Sequence, residues 1–476
     1  MLQLSLHKKF MIAAAIFIAA MVVAFLKEQP LFLLLPFAYV VAKPVWYVVV
    51  NKTHWLFYLL IFLLPLSTEY NFTPSLGIDF PDEPLMMLLT AAAILLFFHS
   101  PKKFPAAVLQ HPLFFLLIIH LLWIATCCFY STNTWLSIKF LLAKTWFIVP
   151  FVILPSMINW SNRRLKLLAY LLLLPMLFVV VQSIARHALY GFSFEGIKYT
   201  LSPFFRNHVN YSAMLVCLLP LAFVMRSAAK QQHRIIWNLA LTIAMAGVVF
   251  AYARGAWLAL FFGGAAAVIL YFKWLKHVLI LALAALIAAS AWLVKDNNYL
   301  RFAHDFNTTV FHEDIGEHLS ATVQLKDVSN AERFYRWVAA ANMVPDKPIV
   351  GFGPNTFYQN YKRYTITQFR TWVSENPEHS TVHNYFLLTL VEQGVPGLVI
   401  FLLLFYSMLL HCEKLYHRHR RQVYKNLSLA IGVSLTMIGS LLLSSDLLET
   451  DKIGSLFWLS LGFIIVLQSK LHKQPV

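Results

Sequence analysis

The sequence predicts an all-α polytopic membrane protein with about fourteen transmembrane helices, within a range of twelve to fourteen. Of its 476 residues, 59% are hydrophobic and 12% are charged, whereas soluble domains carry about 25% charged residues. The apolar residues form runs of about 15 to 25 between short polar clusters, which is the spacing of membrane-spanning helices. These observations exclude a soluble enzyme, a disulfide-rich secreted domain and a disordered chain.

Fourteen apolar segments follow one another along the chain. They cover residues 10–26, 30–50, 54–66, 84–98, 112–130, 138–156, 165–185, 208–225, 235–252, 256–272, 278–294, 383–410, 426–444 and 453–469. The second and third are the weakest spans, because Pro36, Lys43 and Pro44 interrupt one and the other is short. Lys8 and Lys9 precede the first segment, as in a signal peptide, but no small-residue cleavage site follows, which favours a retained helix.

The charged residues predict the orientation of these segments. With the N-terminus inside, the inner loops hold twenty basic residues and one acidic residue, Glu413, whereas the short outer loops hold six basic and nine acidic residues. This positive-inside bias places both termini in the cytoplasm. It also accounts for the net charge of +17 without a nucleic-acid partner, and it makes the basic run 417–421 a topology anchor.

One long outer loop divides the chain. We predict transmembrane helices 1–11 in residues 1–294, an outer loop domain in residues 295–382 and transmembrane helices 12–14 in residues 383–476. The loop holds nine basic and ten acidic residues together with Trp337 and Trp372. A loop of this length and composition is typical of a small folded cap with a functional role.

Three basic residues stand where inward-running helices begin at the outer face. Arg206 precedes the segment 208–225, Arg254 begins the next inward segment, and His383 begins the segment 383–410. Helix N-termini carry a partial positive charge and bind anions, and arginine binds phosphate in a bidentate manner. Together these residues predict a site for a phosphate-bearing substrate, although a snorkelling anchor explains any single arginine equally well.

Several short motifs occur in a fixed order in this half of the chain. They are Arg254-Gly255-Ala256-Trp257, the pair Arg333 and Trp337, the run 348–354 with Gly351 and Gly353, and His383-Asn384 followed by Gly394 and Gly397. Over residues 200–445 this order resembles the O-antigen ligase and polymerase superfamily. The N-terminal half matches only as a hydrophobic array, and fourteen segments instead of the usual twelve leave the subfamily open.

The resemblance implies a function at the periplasmic face of the bacterial inner membrane. A bundle similar to that of GT-C glycosyltransferases would transfer a glycan, with inversion, from an undecaprenyl-diphosphate carrier to an acceptor hydroxyl, without a metal or other cofactor. His383 would be the general base, and Arg206, Arg254, Arg333 and Asn384 would bind the diphosphate, Arg254 and Arg333 also stabilising the leaving group. The glycines Gly255, Gly351, Gly353, Gly394 and Gly397 would have structural roles.

The acceptor stays open at this point. A ligase would use a lipid A-core sugar, which we prefer; a polymerase would use another lipid-linked repeat, and an O-oligosaccharyltransferase a protein hydroxyl. A lipid-linked sugar transporter is a further alternative, but transporters tend to contain internal repeats, and no convincing repeat is present. A structural membrane subunit would leave the arginine and histidine cluster unexplained.

Other residues carry weaker signals. His312 and His318 are six residues apart, not four, which argues against a zinc-protease site, and we expect no metal. Glu392 lies about 180° around the helix from His383 and is expected to pair within the bundle. Lys139 and Lys144 lie inside a predicted span, where an ionisable residue is a functional candidate. The acidic loop 67–83 is either solvated or faces the acceptor. We expect core roles for the cysteines Cys127, Cys128, Cys217 and Cys412.

Overall fold

The computed structural model describes residues 51–73, 76–101, 106–296, 328–369, 374–376 and 379–472, together with isolated positions such as 104 and 298. The predicted segment 10–26 is described at nine of its seventeen positions and the segment 30–50 at two, while the His312–His318 motif lies outside the described residues. The loop domain is described only in part.

Helices make up nearly all of the described chain. They are α1 (Thr53–Leu63), α2 (Asp82–His99), α3 (Pro112–Phe129), α4 (Thr134–Met157), α5 (Asn162–Ala188), α6 (His208–Ser227), α7 (Arg234–Phe250), α8 (Arg254–Tyr271), α9 (Leu275–Val294), α10 (Val328–Met343), α11 (Tyr385–Arg418), α12 (Gln422–Leu442) and α13 (Asp451–His472). Four-residue helices occur at Ala106–Leu109, Ile197–Thr200 and Phe357–Asn360.

Within the described residues, eleven helices are long and apolar enough to cross a membrane, namely α2 to α9 and α11 to α13. They coincide with the eleven predicted segments from 84–98 onward, which confirms the all-α polytopic fold class. The predicted segment 54–66 is shorter than a span: α1 ends at Leu63 and continues as a 3-10 turn to Leu66. The fourteen residues Thr53–Leu66 extend about 21 Å, less than the hydrocarbon thickness of about 30 Å. Pro65 lies in that turn and has no amide hydrogen to continue the helix.

Two strands interrupt the helical pattern in the acidic loop. The strands β1 (Thr68–Thr73) and β2 (Leu76–Phe80) pair antiparallel, with Thr68 opposite Phe80 and Glu69 opposite Asp79. The sequence did not predict this hairpin, because the segment lacks a long alternating run. The hairpin places Glu69 and Asp79 side by side at one end of the bundle.

The helices pack around α12. It lies against α6, α8 and α11, so the three helices whose N-termini were singled out share one neighbour. Next to it, α13 packs against α4 and is the most buried span. This arrangement gathers the starts of α6, α8 and α11 around the end of α12 and the segment that follows it.

The connecting loops separate into two groups at the two ends of the bundle. Predicted outer loops bind one another: the Thr132 amide donates to the Phe352 carbonyl (2.9 Å), and Arg206 lies 3.6 Å from Glu69. Predicted inner loops do the same, since the Leu275 amide donates to Glu413 (3.2 Å). These contacts agree with the predicted alternation of the spans. Which end faces the periplasm stays a prediction from the charges.

Candidate functional site at the start of α11

The start of α11 is held by its neighbours on both sides. The Asn384 Oδ1 atom caps the helix by accepting from the Leu387 amide (3.0 Å), and the Tyr385 amide donates to the Ser445 carbonyl (3.2 Å). His383, just before the cap, has φ of 53°, a left-handed conformation that is uncommon for a histidine. Such conformations persist where the surrounding structure enforces them, often at functional sites.

The His383 ring lies in a charged, partly covered environment. Its Nδ1 atom is 3.9 Å from Asp446 Oδ1, and the side chain is 35% exposed. The other Asp446 oxygen accepts from the Thr381 hydroxyl (2.7 Å). Burial, together with Arg336 and then Arg333, lowers the pKa of His383 to about 3. The imidazole is therefore neutral at physiological pH.

Helix α10 brings the two arginines to this ring. Arg336 is 3% exposed, pairs with Glu332 (3.4 Å) and donates to the Thr381 carbonyl (3.2 Å). Trp337 donates to the Val382 carbonyl (3.0 Å). The predicted motif residues Arg333 and Trp337 therefore belong to a helix that binds the segment directly before His383. Sequence reasoning missed Arg336, although its spacing of three from Arg333 places both on one helix face.

Arg254 lies at the start of α8, beside the end of α12. It is the first residue of α8 and is half-buried, and a Cβ added to Gly255 would lie 3.7 Å from Leu441 and 3.9 Å from Ser444. Arg254 thus lies next to the end of α12. In the described part of the chain, neither Arg254 nor Arg206 is among the charges that shift the pKa of His383.

Arg206 faces a separate cavity of about 1140 Å³ at the outer-loop end. Its side chain is 74% exposed, and Glu69 is its ion-pair partner at 3.6 Å. The cavity lies between the hairpin, the loop before α6, α4 and the start of α13. Its described charged lining residues are Glu69, Asp79, Glu83, Lys198, Arg206, Glu449, Asp451 and Lys452. His383, Asn384, Arg254 and Arg333 are not among the residues that line it, so the five predicted catalytic and binding residues do not all line this cavity.

Gly351, Gly353 and Gly394 lie in a junction in which the loop 348–353 crosses α11. Gly394 interrupts the helix with φ of 71° and ψ of −177°, which exposes backbone groups to this loop. The Val391 carbonyl accepts from the Phe352 amide (3.0 Å), and the Glu392 carbonyl accepts from the Gly353 amide (3.0 Å). A Cβ on Gly394 would overlap the Ile349 carbonyl. Close backbone contact therefore explains Gly351 and Gly394, whereas Gly397 makes room for the side chain of Trp123.

Glu392 has a structural position within this junction. Its buried carboxylate accepts from the amides of Asn355 (2.8 Å), Thr356 and Phe357 (both 2.9 Å). It anchors the start of the short helix Phe357–Asn360. Its partners are backbone amides of the loop, not another charge.

The two lysines of α4 occupy contrasting positions. Lys139 is exposed and lies over the Trp135 ring (5.3 Å). Lys144 is 2% exposed, lies 2.5 Å from Glu449 and donates to the Tyr385 hydroxyl (3.2 Å). The four cysteines are buried and unpaired. Within the described ranges, no group of three histidine, cysteine or acidic residues lies close enough to hold a metal ion.

Comparisons with known proteins agree with the family resemblance that the sequence motifs indicate. The O-antigen ligase family model matches residues 238–402, a stretch that contains Arg254, Arg333, His383 and the motif glycines. A Rickettsia conorii protein named as a candidate polysaccharide ligase is 26% identical over 165 residues, which are 34% of this chain. The match spans about a third of that relative's length, 36%. Residues 238–402 therefore match the O-antigen ligase family, and both comparisons support a relationship of this part of the chain to the O-antigen ligase superfamily.

Proposed function

We propose that this protein transfers a glycan from an undecaprenyl-diphosphate carrier to a hydroxyl of a lipid A-core sugar, at the periplasmic face of the bacterial inner membrane. The observation that carries the proposal is the geometry at the start of α11, where His383 lies 3.9 Å from Asp446 and α10, which carries Arg333 and Arg336, binds the segment directly before His383. A neutral base beside fixed cations suits a hydroxyl nucleophile and an anionic donor. The match of residues 238–402 to the O-antigen ligase family supports the same reaction class.

His383 takes the proton of the attacking hydroxyl in this reaction. The acceptor oxygen bonds to the anomeric carbon, the carbon–oxygen bond to the diphosphate breaks, and the configuration inverts. Asp446, 3.9 Å from Nδ1, orients the ring and stabilises the imidazolium that forms. A closer approach of the two groups as the ring gains charge would strengthen this stabilisation.

The arginines bind and stabilise the diphosphate. Arg333 acts beside His383, and Arg254 contacts the anion from the α8 side. Arg206, exposed at the cavity, adds only a weak, screened attraction to the donor. Asn384 has its oxygen engaged in the helix cap, so its amide NH₂ is the group that faces the anion. Guanidinium groups supply the charge stabilisation that a metal ion supplies in other transferases, and the proposed transfer needs no cofactor.

Donor binding also restores the basicity of His383. The free site holds two guanidinium groups near the ring, and these lower its pKa together with burial. A bound diphosphate offsets those positive charges, and the pKa of the ring then rises. The base therefore becomes effective when the substrate is present.

The test is the glycan profile of cells that lack this gene. We expect full-length glycan to accumulate on the lipid carrier, and the purified protein to transfer that extracted material to lipid A-core. Accumulation of single repeat units would instead identify a polymerase. An unchanged profile, together with no transfer by the purified protein, would contradict both.

A further inference from the structure

Lys144 is a buried cation far below the surface of the bundle. It follows the first residue of α4 by ten positions, about 15 Å along the helix. Its ammonium group lies 2.5 Å from Glu449 and 3.2 Å from the Tyr385 hydroxyl, and 5.5 Å from the centre of the Tyr385 ring. An ionisable residue at such a position in a membrane protein is expensive and is usually functional.

Glu449 belongs to the segment that joins α12 to α13, residues 443–450, which we call the link. Near its start, the Ser445 carbonyl binds the Tyr385 amide and Asp446 faces His383. Its middle, Leu447 and Leu448, is buried. Its end is bound to α4 through Glu449. The link is therefore attached to α11 at one end and to α4 at the other.

Lys144 contacts both sides of the His383–Asp446 pair. Through Glu449 it binds the link three residues after Asp446, and through Tyr385 it binds α11 two residues after His383. A buried ion pair is a poor source of stability, because desolvation offsets most of its attraction. The Lys144–Glu449 pair acts instead on geometry, because it sets the distance between the link and the start of α11.

We propose that Lys144 and Glu449 are positioning residues that hold Asp446 against His383. This inference rests on the proposed transfer reaction, in which Asp446 orients the base. Loss of the pair would let the link shift, and a displacement of about 1 Å in catalytic geometry costs roughly 100-fold in rate. The pair does not touch the reacting atoms.

The first experiment compares Lys144→Met with the matched control Lys139→Met on the same helix. Using lipid-linked glycan extracted from the deletion strain, we expect kcat to fall about 10- to 100-fold for Lys144→Met, with the KM for donor within about threefold. Lys139→Met should match the wild type. If Lys144→Met does not fold, the double variant Lys144→Met with Glu449→Leu replaces the pair by apolar groups and should fold with the same low kcat.

The second experiment asks whether the pair acts through Asp446. In an Asp446→Asn background, Lys144→Met, or the double variant in its place, should lower kcat by less than about twofold, because the group that it positions is already lost. A full multiplicative loss in that background, or a folded double variant with normal kcat, would overturn the inference. A lower thermal midpoint with unchanged kcat would assign the pair to stability alone and would also overturn it.

The outcomes separate this inference from the proposed function. If His383→Ala retains full transfer, the reaction proposed above fails. If His383→Ala is inactive while the Lys144 variants keep normal kcat, only the positioning role fails.

Discussion

The His383 cluster and the Arg206 cavity lie on the same end of the bundle, and basic motif residues predicted both. They differ in how firmly their charges are held. Arg336 is 3% exposed and is bound to Glu332 and the Thr381 carbonyl, whereas Arg206 is 74% exposed with an ion pair at 3.6 Å. Charges fixed in a poorly solvated site act strongly on a neighbour, while exposed charges are screened by water and salt. The burial of an arginine's surroundings therefore predicts its electrostatic effect on neighbouring groups better than its position at a helix start does.

Removal of the base should have the largest effect. His383→Ala is expected to lower the transfer rate by about 10²- to 10⁴-fold, since a general base typically contributes that factor. His383→Gln should fail similarly, because glutamine keeps a hydrogen-bonding group without basicity. Transfer by purified protein from the extracted lipid-linked donor is the measurement. Near-normal turnover of the Gln variant would remove His383 from the chemistry and leave it as a structural residue before the cap.

Removal of either half-buried arginine, Arg333 or Arg254, should cause the next largest loss of transfer. Arg333→Ala and Arg254→Ala should each lower transfer by about 10²- to 10³-fold through lost stabilisation of the diphosphate. The Lys variants should recover only part, since lysine cannot form the bidentate contact. Initial rates on stably expressed variants check this. Full activity of Arg254→Ala would make that residue a membrane anchor and restrict the charged site to the α10 side.

The pH dependence of kcat/KM tests whether the fixed charges of the His383 cluster act on the base. A base with a pKa lowered to about 3 stays neutral as the pH falls through 6.5, so kcat/KM of the wild type should not titrate near 6.5. In Arg333→Gln, one cation near His383 is gone, its pKa rises, and the acidic loss of kcat/KM should begin at higher pH. Initial rates at donor concentrations well below KM, between about pH 3 and 8, measure both profiles. An identical acidic limb in wild type and variant would contradict the role of Arg333 in this shift.

The break in α11 at Gly394 gives a prediction about stability rather than about the rate of transfer. Gly394→Ala introduces a Cβ at φ of 71° and against the Ile349 carbonyl, and should destabilise the protein by about 1–3 kcal/mol or more. Gly264→Ala in α8 is the control, because its added Cβ meets no atom within 4 Å. Thermal midpoints in detergent compare the two. Equal midpoints would show that the loop 348–353 does not depend on the break in the helix.

The smallest effect is expected at the cavity. Arg206→Ala should change transfer by less than about threefold, because its exposed ion pair with Glu69 contributes little. Glu69→Ala serves as the matched partner variant in the same assay. A loss of 100-fold in Arg206→Ala alone would place the donor diphosphate in the cavity and reverse the ranking of the two regions.

The sequence patterns predicted part of the candidate site. The motifs located His383, Arg333 and the glycines, because each motif is contiguous or regularly spaced. Sequence reasoning missed Arg336, and it treated Asp446 only as one of several outer acids. Both reach His383 from segments 47 and 63 residues away along the chain. The hairpin was missed for a similar reason, since the acidic loop carries no clear strand period.

The sequence by itself located each of the eleven spans among the described residues and determined the division of charge between the two sets of loops. Both are local properties, because each span must bury its own backbone and each loop must carry its own charges. Only the tertiary structure decided that α10 delivers two arginines to His383, that Arg206 faces another cavity, and that Lys144 reaches Glu449. Such pairings depend on how helices distant in the chain pack around α12, and no periodicity within a single segment encodes that packing.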